Sequence, residues 1–298
     1  MKKFLAILLA LCLVLSMAAC GSSAASSAAA EASGDASAAE TDYSSLSSTD
    51  PAYHSVAAIQ QRGELKIATE ATFAPYAFKD ADGNLVGLEV SLVNAIAEEM
   101  GVKCVIDDMA FDSVLPSVQA GLDDCAFAAL TPTAERQEAF AFTQSYFSNG
   151  QMSLCRVGDA AKYTDVDSVT ADTMLGAQKG SYQQTVAETT WPDCSGRYLE
   201  TVPNVVMDLK AGNIDLAIMD YDNAYAYAYQ NEDLETAFVV PMLEGDEAAN
   251  CAASMKGNDD LTAYLNEVIQ KFIDDGSMQK WYDEAVAIQL ALADDTAE

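Results

Sequence analysis

The sequence predicts an α/β protein with two lobes, and three observations lead to this prediction. Strand-like and helix-like segments alternate from about residue 55 to about residue 290. Such alternation favours parallel sheets with helices on both faces. The stretch is long enough for two modest lobes, each with its own core. A helix, a glycine and a strand also occur in the same order at two places, which indicates two related halves.

The chain begins with a pattern typical of a lipoprotein signal. Two lysines follow the initial methionine, an apolar run extends from Phe4 to Met17, and Ala18-Ala19 precede Cys20. The run is too short to span a bilayer, so we predict a signal peptide at 1–19. Small residues before a cysteine resemble the bacterial lipobox, in which Leu is commoner than Met at position 17. Cys20 would then carry two acyl chains, which suffice for stable anchoring at the outer face of the cell membrane. The alternative is an ordinary signal peptide in which Cys20 has no role.

Residues 20–54 are predicted to form a disordered tether. Up to about Thr49 nearly every residue is Ser, Ala or acidic. Such a stretch cannot bury enough apolar surface to offset its ordering entropy, so we expect a flexible spacer between membrane and folded body. Its alanines could instead form a transient helix, but that helix would have no apolar face with which to dock.

Charge and cysteine content exclude several classes of protein. The formal net charge is −31 at pH 7, which argues against binding to nucleic acid, because phosphates require basic patches. His54 is the only histidine, and the cysteines show no metal-binding spacing, so we predict neither a metal site nor a cofactor. The sequence cannot assign disulfides among the five cysteines after Cys20, which are Cys104, Cys125, Cys155, Cys194 and Cys251.

The elements of the first half follow from periodicity and from turn residues. Apolar residues recur at helical spacing from Leu88 to Met100, and Gly101 supplies a stop. Short apolar runs on either side of this helix are predicted strands. The predicted elements are, in order, strand Leu65–Thr69, a turn at Asp82-Gly83-Asn84, helix Leu88–Met100, strand Val102–Ile106, a helix capped by Asp112 and ended at Gly121, and strand Cys125–Ala129.

A weak internal repeat relates two parts of the chain. Val114-Leu115, Val118, Ala120-Gly121 and Asp124 match Val205-Val206, Leu209, Ala211-Gly212 and Asp215. Any α/β unit would look similar, so the match alone is modest support. It nevertheless assigns Ala129 and Asp220 to corresponding strand ends, where α/β sheets present residues that contact ligands.

Six stretches, in the right order, resemble the polar amino-acid-binding proteins of ATP-driven importers, which have the type II periplasmic-binding fold. They are Ala68-Thr-Glu-Ala-Thr-Phe-Ala-Pro-Tyr-Ala-Phe78, Gly87-Leu-Glu-Val-Ser-Leu92, Thr131-Pro-Thr-Ala-Glu-Arg136, Phe140-Ala-Phe-Thr-Gln-Ser-Tyr146, Ala211-Gly-Asn-Ile-Asp-Leu-Ala-Ile-Met-Asp220 and Asp274-Asp-Gly-Ser-Met-Gln-Lys-Trp-Tyr282. The resemblance implies two hinge crossovers between the lobes, at Gln151–Val157 and Asp246–Met255. Lobe 1 would comprise 55–153 plus 250–290, lobe 2 would comprise 154–249, and a C-terminal tail would occupy 291–298.

The resemblance also assigns the two charges of an amino-acid ligand to different groups. The ligand carboxylate maps to Arg136, whose planar guanidinium fits a carboxylate in a bidentate way. Backbone amides at Gly180, Ser181 and Tyr182 would complete that end, because a helix N-terminus offers unsatisfied N–H groups. Taken alone, Arg136 would be expected to be a solvated helix residue.

The ligand ammonium maps to Asp220, with the Thr131 hydroxyl and the Ala129 carbonyl. An aspartate at a strand end could instead cap the following turn. Phe73 and Phe111, together with Tyr76 as a further candidate, match aromatic walls, although such aromatics are otherwise simply core residues.

Glu70 and Gln178 match positions that meet the ligand side chain. They favour a polar or cationic amino acid, with arginine, lysine and histidine slightly ahead of cystine and glutamine. Branched-chain and acidic amino acids are expected to be rejected, because buried polar groups would stay unpaired or repel the ligand.

The function implied by the resemblance is that of a monomer that binds a free amino acid and delivers it to the membrane subunits of an ABC importer, without catalysis. Two alternatives remain open. A few members of this fold are dehydratases, and Glu70 is a conceivable general acid. A sensory module would bind the same ligands but would usually be fused to a transmembrane or output domain.

Overall fold

The computed structural model describes residues 41–148 and 150–296, in which strands and helices alternate. The strands are β1 (Glu64–Thr69), β2 (Phe78–Lys79), β3 (Leu85–Val86), β4 (Lys103–Asp108), β5 (Cys125–Leu130), β6 (Phe140–Phe142), β7 (Gln151–Arg156), β8 (Met174–Gln178), β9 (Ser195–Leu199), β10 (Leu216–Asp220), β11 (Leu234–Val240) and β12 (Cys251–Met255). The helices are α1 (Val56–Arg62), α2 (Leu88–Met100), α3 (Phe111–Gln119), α4 (Ala134–Ala139), α5 (Tyr182–Thr190), α6 (Val202–Lys210), α7 (Tyr221–Gln230), α8 (Asp259–Asp274) and α9 (Ser277–Thr296). Short 3-10 helices occur at Tyr43–Ser45, Pro51–His54 and Val166–Ser168. The predicted signal peptide and Cys20 lie outside the described residues.

Two five-stranded sheets confirm the predicted α/β class with two lobes. The first sheet has the order β4-β1-β5-β12-β6, and the second has the order β11-β7-β10-β8-β9. In the first sheet β4, β1 and β5 pair parallel, and in the second β10, β8 and β9 do so, as predicted. Strand β12 pairs antiparallel with both β5 and β6, and β7 pairs antiparallel with both β10 and β11. Both sheets are therefore mixed, because the strand that follows each crossing, β7 or β12, runs against the other four strands of its sheet.

The chain crosses between the sheets after β6 and again after β11. The two crossing segments pair with each other through a bridge between Phe147 and Asn250, in which the Asn250 amide donates to the Phe147 carbonyl at 2.8 Å. The predicted boundary between residues 153 and 154 falls inside β7, which starts at Gln151 and belongs wholly to the second sheet. We therefore place the first crossing before Gln151.

Helix α2 shows how local sequence sets the first lobe. A side chain at Gly87 would lie 2.1 Å from the Tyr76 carbonyl, so only glycine fits where the helix begins. Gly101 adopts φ +76° and ends the helix, as the sequence predicted. The face turned to the core consists of Leu88, Leu92, Val93, Ile96, Ala97 and Met100. Helix α3, in contrast, begins at Phe111 with no side-chain cap, so Asp112 lies in its first turn and the predicted cap is wrong.

The last part of the predicted tether, residues 42–54, is folded against the first lobe. His54 is buried, its Nδ1 lies 2.6 Å from Asp124 Oδ1, and its Nε2 lies 2.7 Å from the Ser48 carbonyl. That carbonyl packs against Gly121, where an added Cβ would approach it to 1.8 Å. Disorder is therefore wrong for these residues, because one buried histidine with two hydrogen-bond partners holds a segment that has few apolar side chains.

The C-terminal helices complete the first lobe. Helix α8 packs Leu261, Leu265 and Ile269 into its core, and α9 continues to Thr296, so the predicted tail from residue 291 is helical that far. No helix in the described ranges is long and apolar enough to cross a membrane. The five cysteines after Cys20 are all free thiols.

Candidate functional site

A cavity lies where the carboxyl ends of the parallel strands of both sheets meet. This is the position at which open α/β sheets bind ligands. All ten residues predicted from the sequence line it, namely Glu70, Phe73, Phe111, Ala129, Thr131, Arg136, Gln178, Ser181, Tyr182 and Asp220. Their role in ligand binding stays a prediction. Tyr76 lies behind the wall rather than in it, since it is fully buried and stacks on Phe73 with ring centroids 5.6 Å apart.

Arg136 joins the two lobes at one end of the cavity. The Thr133 side chain caps α4 by accepting from the Arg136 amide at 3.2 Å, which fixes the backbone. The guanidinium donates from Nη1 to the Thr131 carbonyl at 3.0 Å and from Nη2 to the Gly180 carbonyl of the second lobe at 3.1 Å. Burial lowers the pKa of Arg136 to about 10, so the group stays cationic at neutral pH. The Arg136 side chain is therefore half-buried and hydrogen-bonded through both Nη atoms, unlike a solvated helix arginine.

The turn before α5 faces this arginine from the second lobe. Ser181 caps the helix by accepting from the Gln184 amide, and Gly180 has φ +74°. Two of the three predicted amides already have partners, because Gly180 N–H donates to Gln184 Oε1 at 2.8 Å and Ser181 N–H donates to the Gln178 carbonyl at 3.3 Å. The amides of Tyr182 and Gln183, in the first turn of α5, are therefore the better candidates for an anion.

Asp220 lies at the end of β10 and accepts hydrogen bonds from the second lobe. Gln151 Nε2 at 3.0 Å and Gln183 Nε2 at 2.6 Å both donate to its Oδ1. It makes no side-chain cap to α7, so the alternative of a turn-capping aspartate does not apply. Burial raises the pKa of Asp220 to about 7, the Gln151 hydrogen bond opposes this, and Asp222 adds to it. Desolvation disfavours the ionised form of Asp220, and a cation bound beside the carboxylate would stabilise that form.

Glu89 is a lining residue that the sequence reasoning missed. Its side chain is 2% exposed, and its Oε1 accepts from the Ala129 amide at 2.7 Å and from the Tyr146 hydroxyl. Its Oε2 is buried without a hydrogen-bond partner among the described residues. Burial raises the pKa of Glu89 to about 7. The available signal was an acidic residue on the apolar face of α2, next to Leu88 and Leu92.

The third carboxylate, Glu70, directly follows β1. It is 3% exposed and its Oε1 accepts from the Thr72 amide at 3.1 Å and from the Thr72 hydroxyl. Burial raises its pKa. With Glu89 and Asp220 the cavity wall holds three carboxylates against one guanidinium, so it carries a net negative charge when these groups are ionised. No cluster suited to a metal ion occurs in the described part of the chain.

The family model "Bacterial extracellular solute-binding proteins, family 3" matches residues 65–286. The arginine-binding extracellular protein ArtP of Bacillus subtilis is 26% identical over 220 residues, which are 73% of this chain and 84% of that protein.

Two solved structures are also similar. The first is an amino acid ABC transporter substrate-binding protein from Streptococcus pneumoniae bound to L-arginine, with 36% identity, a TM-score of 0.73, and coverage of 78% of this chain and 97% of that one. The second is the ancestral amino acid-binding protein AncCDT-1, a precursor of cyclohexadienyl dehydratase, with 26% identity, a TM-score of 0.70, and coverage of 77% and 98%.

Proposed function

The chain belongs to family 3 of the bacterial extracellular solute-binding proteins, and from this premise we propose that it binds a free amino acid between its lobes and delivers it to an ABC importer. The observation that carries the proposal is the separation of charges in the cavity. Arg136, on α4, reaches the turn before α5, whereas Asp220 lies at the end of β10 and is bonded to Gln151 and Gln183. A zwitterion needs partners for both charges, because either charge buried alone is very costly.

A cationic side chain fits the remaining part of the cavity best. After Asp220 meets the ligand ammonium, Glu70 and Glu89 remain as buried acceptors, each with one oxygen that lacks a hydrogen-bond partner in the described ranges. An aliphatic ligand would leave both unsatisfied, and an acidic ligand would be repelled. We therefore rank arginine, lysine and histidine slightly above cystine and glutamine. Similarity to two arginine-binding proteins supports this order.

Binding without catalysis is the second part of the proposal. Similarity to AncCDT-1 supports a dehydratase as the alternative function. A general acid needs a pKa near the working pH, and the carboxyl group of Glu89 has a pKa of about 7. The lining, however, offers no histidine and no serine–histidine pair. Incubation with prephenate-like acids and analysis for product would separate the two functions, because product formation that requires Glu89 would establish an enzyme.

Outside the cavity, we propose a monomer anchored through diacylated Cys20 at the outer face of the membrane. The lipobox-like signal at the N-terminus supports this. Acyl labelling of the wild type and of Cys20→Ala tests it, and a wild-type chain without label would exclude the anchor.

The decisive experiment for the ligand is a thermal-shift screen against the common amino acids, followed by calorimetry. A ligand that binds only the native state raises the melting temperature. We expect shifts with arginine, lysine or histidine and none with leucine or glutamate. Arg136→Ala should abolish the shift, and Arg197→Ala, which removes a surface arginine paired with Asp208 within the second lobe, should preserve it. Tight binding of leucine or glutamate would overturn the assignment.

A further inference from the structure

An ion pair joins the lobes at the mouth of the cleft without lining the cavity. Lys179 Nζ of the second lobe lies 2.8 Å from Asp112 Oδ2 of the first lobe. Lys179 precedes the turn into α5, and Asp112 lies in the first turn of α3. The Asp112 hydrogen bond and charge raise the pKa of Lys179, and Glu200 adds a smaller effect.

The backbone around the pair is closely packed. A Cβ added at Gly180 would lie 3.0 Å from the Asp112 Cβ, and the Gly180 carbonyl accepts from Arg136. Asp112 therefore contacts the second lobe through both its charge and its aliphatic carbon. This arrangement exists only while the lobes are together.

Both residues of the pair lie outside the two crossing segments. Asp112 follows β4, which is the edge of the first sheet opposite β6, and Lys179 follows β8, which lies at the opposite side of the second sheet from β11. The crossings leave from β6 and β11. Since displacement in a hinge motion grows with distance from the axis, opening must separate these two side chains more than groups near the crossings.

We propose that Asp112 and Lys179 form a latch that stabilises the closed conformation and so raises ligand affinity without contact with the ligand. The inference rests on the proposed function, in which the lobes close around an amino acid. Both side chains are partly exposed, Lys179 by 61% and Asp112 by 30%, so the latch is a weak one and is screened by salt.

A double-mutant cycle with L-arginine as the probe tests the latch. Asp112→Asn and Lys179→Gln should each weaken binding by about threefold at low salt, the double variant should be no weaker than either single one, and the loss should appear in the dissociation rate. At about 1 M salt the differences should vanish, because the Debye length falls to about 3 Å. Exchange of the charges, Asp112→Lys with Lys179→Asp, should recover most of the affinity.

A matched ion pair within one lobe provides the control. Lys271 and Glu99, 2.6 Å apart on α8 and α2 of the first lobe, have similar exposure. Neutralisation or exchange of these charges should leave arginine affinity unchanged. Equal losses in both sets would mean a general charge effect and would overturn the latch, as would additive effects in the cycle.

A second measurement does not depend on any ligand. Glu135 of the first lobe and Glu188 of the second are exposed and line the same groove at the cleft, so Glu135→Cys with Glu188→Cys allows a short thiol-reactive cross-linker to trap the closed form. The trapping rate reports the closed population even when that population is small. Asp112→Asn should lower the rate about threefold, and an unchanged rate would overturn the latch. If arginine fails to bind the wild type, the proposed ligand class fails, and the trapping rate still decides on the latch.

Discussion

Protonation of Asp220 should control ligand affinity near neutral pH. The carboxylate is buried between Gln151 and Gln183, and its pKa is raised to about 7, chiefly by burial and further by Asp222. A ligand ammonium is stabilised by the ionised form, and the protonated form offers it no charge. Arginine binding should therefore release a proton from Asp220 below neutral pH and should weaken as the pH falls.

The size of the effect follows from the pKa. Below a pKa of about 7, each pH unit lowers the ionised fraction about tenfold, which equals about 1.4 kcal/mol of binding free energy. We expect about 100-fold weaker binding at pH 5 than on the plateau above neutral pH. Burial also raises the pKa of Glu89 to about 7, so its protonation adds to the loss of affinity, and about 100-fold is the lower bound at pH 5.

Stability of the ligand-free protein should change in the opposite direction. The folded-state pKa of Asp220 is raised above its unfolded value near 3.8, so between about pH 4 and pH 7 the folded state holds more protons than the unfolded state. This contribution to stability is fully present below about pH 4 and is lost as the pH rises through about 7. Asp220→Asn removes the contribution, so its unfolding free energy should depend less on pH over that interval.

Calorimetry with arginine, from about pH 5 to about pH 8, checks the reasoning. The titrations are repeated in two buffers of different ionisation enthalpy, so that the released protons are counted directly. Asp220→Asn should bind arginine weakly at every pH and release fewer protons. Glu89→Gln should still lose arginine affinity about tenfold per pH unit below pH 7, because Asp220 still titrates. Wild-type affinity that is constant across the range, with no proton release, would refute the role of Asp220.

Three further predictions concern single residues. Arg136→Lys should weaken arginine binding by at least about tenfold in calorimetry, because an ammonium cannot reproduce the planar fork; retained affinity would remove Arg136 from the carboxylate site. Glu70→Gln should weaken binding of arginine far more than binding of glutamine, and equal losses would argue against contact with a cationic side chain. His54→Ala should lower the unfolding free energy by about 1–3 kcal/mol in urea denaturation and leave ligand affinity unchanged, since it removes one of three donors to the buried Asp124 and the link to the Ser48 carbonyl; an unchanged midpoint would mean that residues 42–54 contribute nothing.

Local sequence patterns were sufficient for much of the fold. Helix α2 agrees with its predicted bounds because both ends and the apolar face are encoded within the segment itself. The reversed directions of β7 and β12 were not predictable in this way. Strand direction depends on where the chain crosses between lobes, which is a property of the whole topology and leaves no local periodicity.

The docked N-terminal segment shows a second limit of sequence reasoning. Composition predicted disorder up to residue 54, since the segment has few large apolar side chains. His54 is nevertheless buried by a partner 70 positions away, and Asp124 also accepts from Arg62 at 2.7 Å and from the Lys66 amide at 2.8 Å. One aspartate that accepts from three donors can order a polar segment. Composition does not reveal such a hydrogen-bond cluster, because the donors come from separate elements.

Glu89 was missed for a related reason, and the omission bears on how the ammonium site is built. Ala129 has φ +48°, a conformation that costs energy for a residue with a side chain, and its amide donates to Glu89 rather than to a neighbouring strand. The peptide unit between Ala128 and Ala129 is therefore held by a helix residue 40 positions earlier, and the carbonyl assigned to the ligand is placed relative to that unit by the backbone angles of Ala129. A family pattern transfers the acceptor at position 129 but not the group that holds it. Where a site uses main-chain atoms, the side chains that fix the backbone are as necessary as those that contact the ligand, and only the folded structure identifies them.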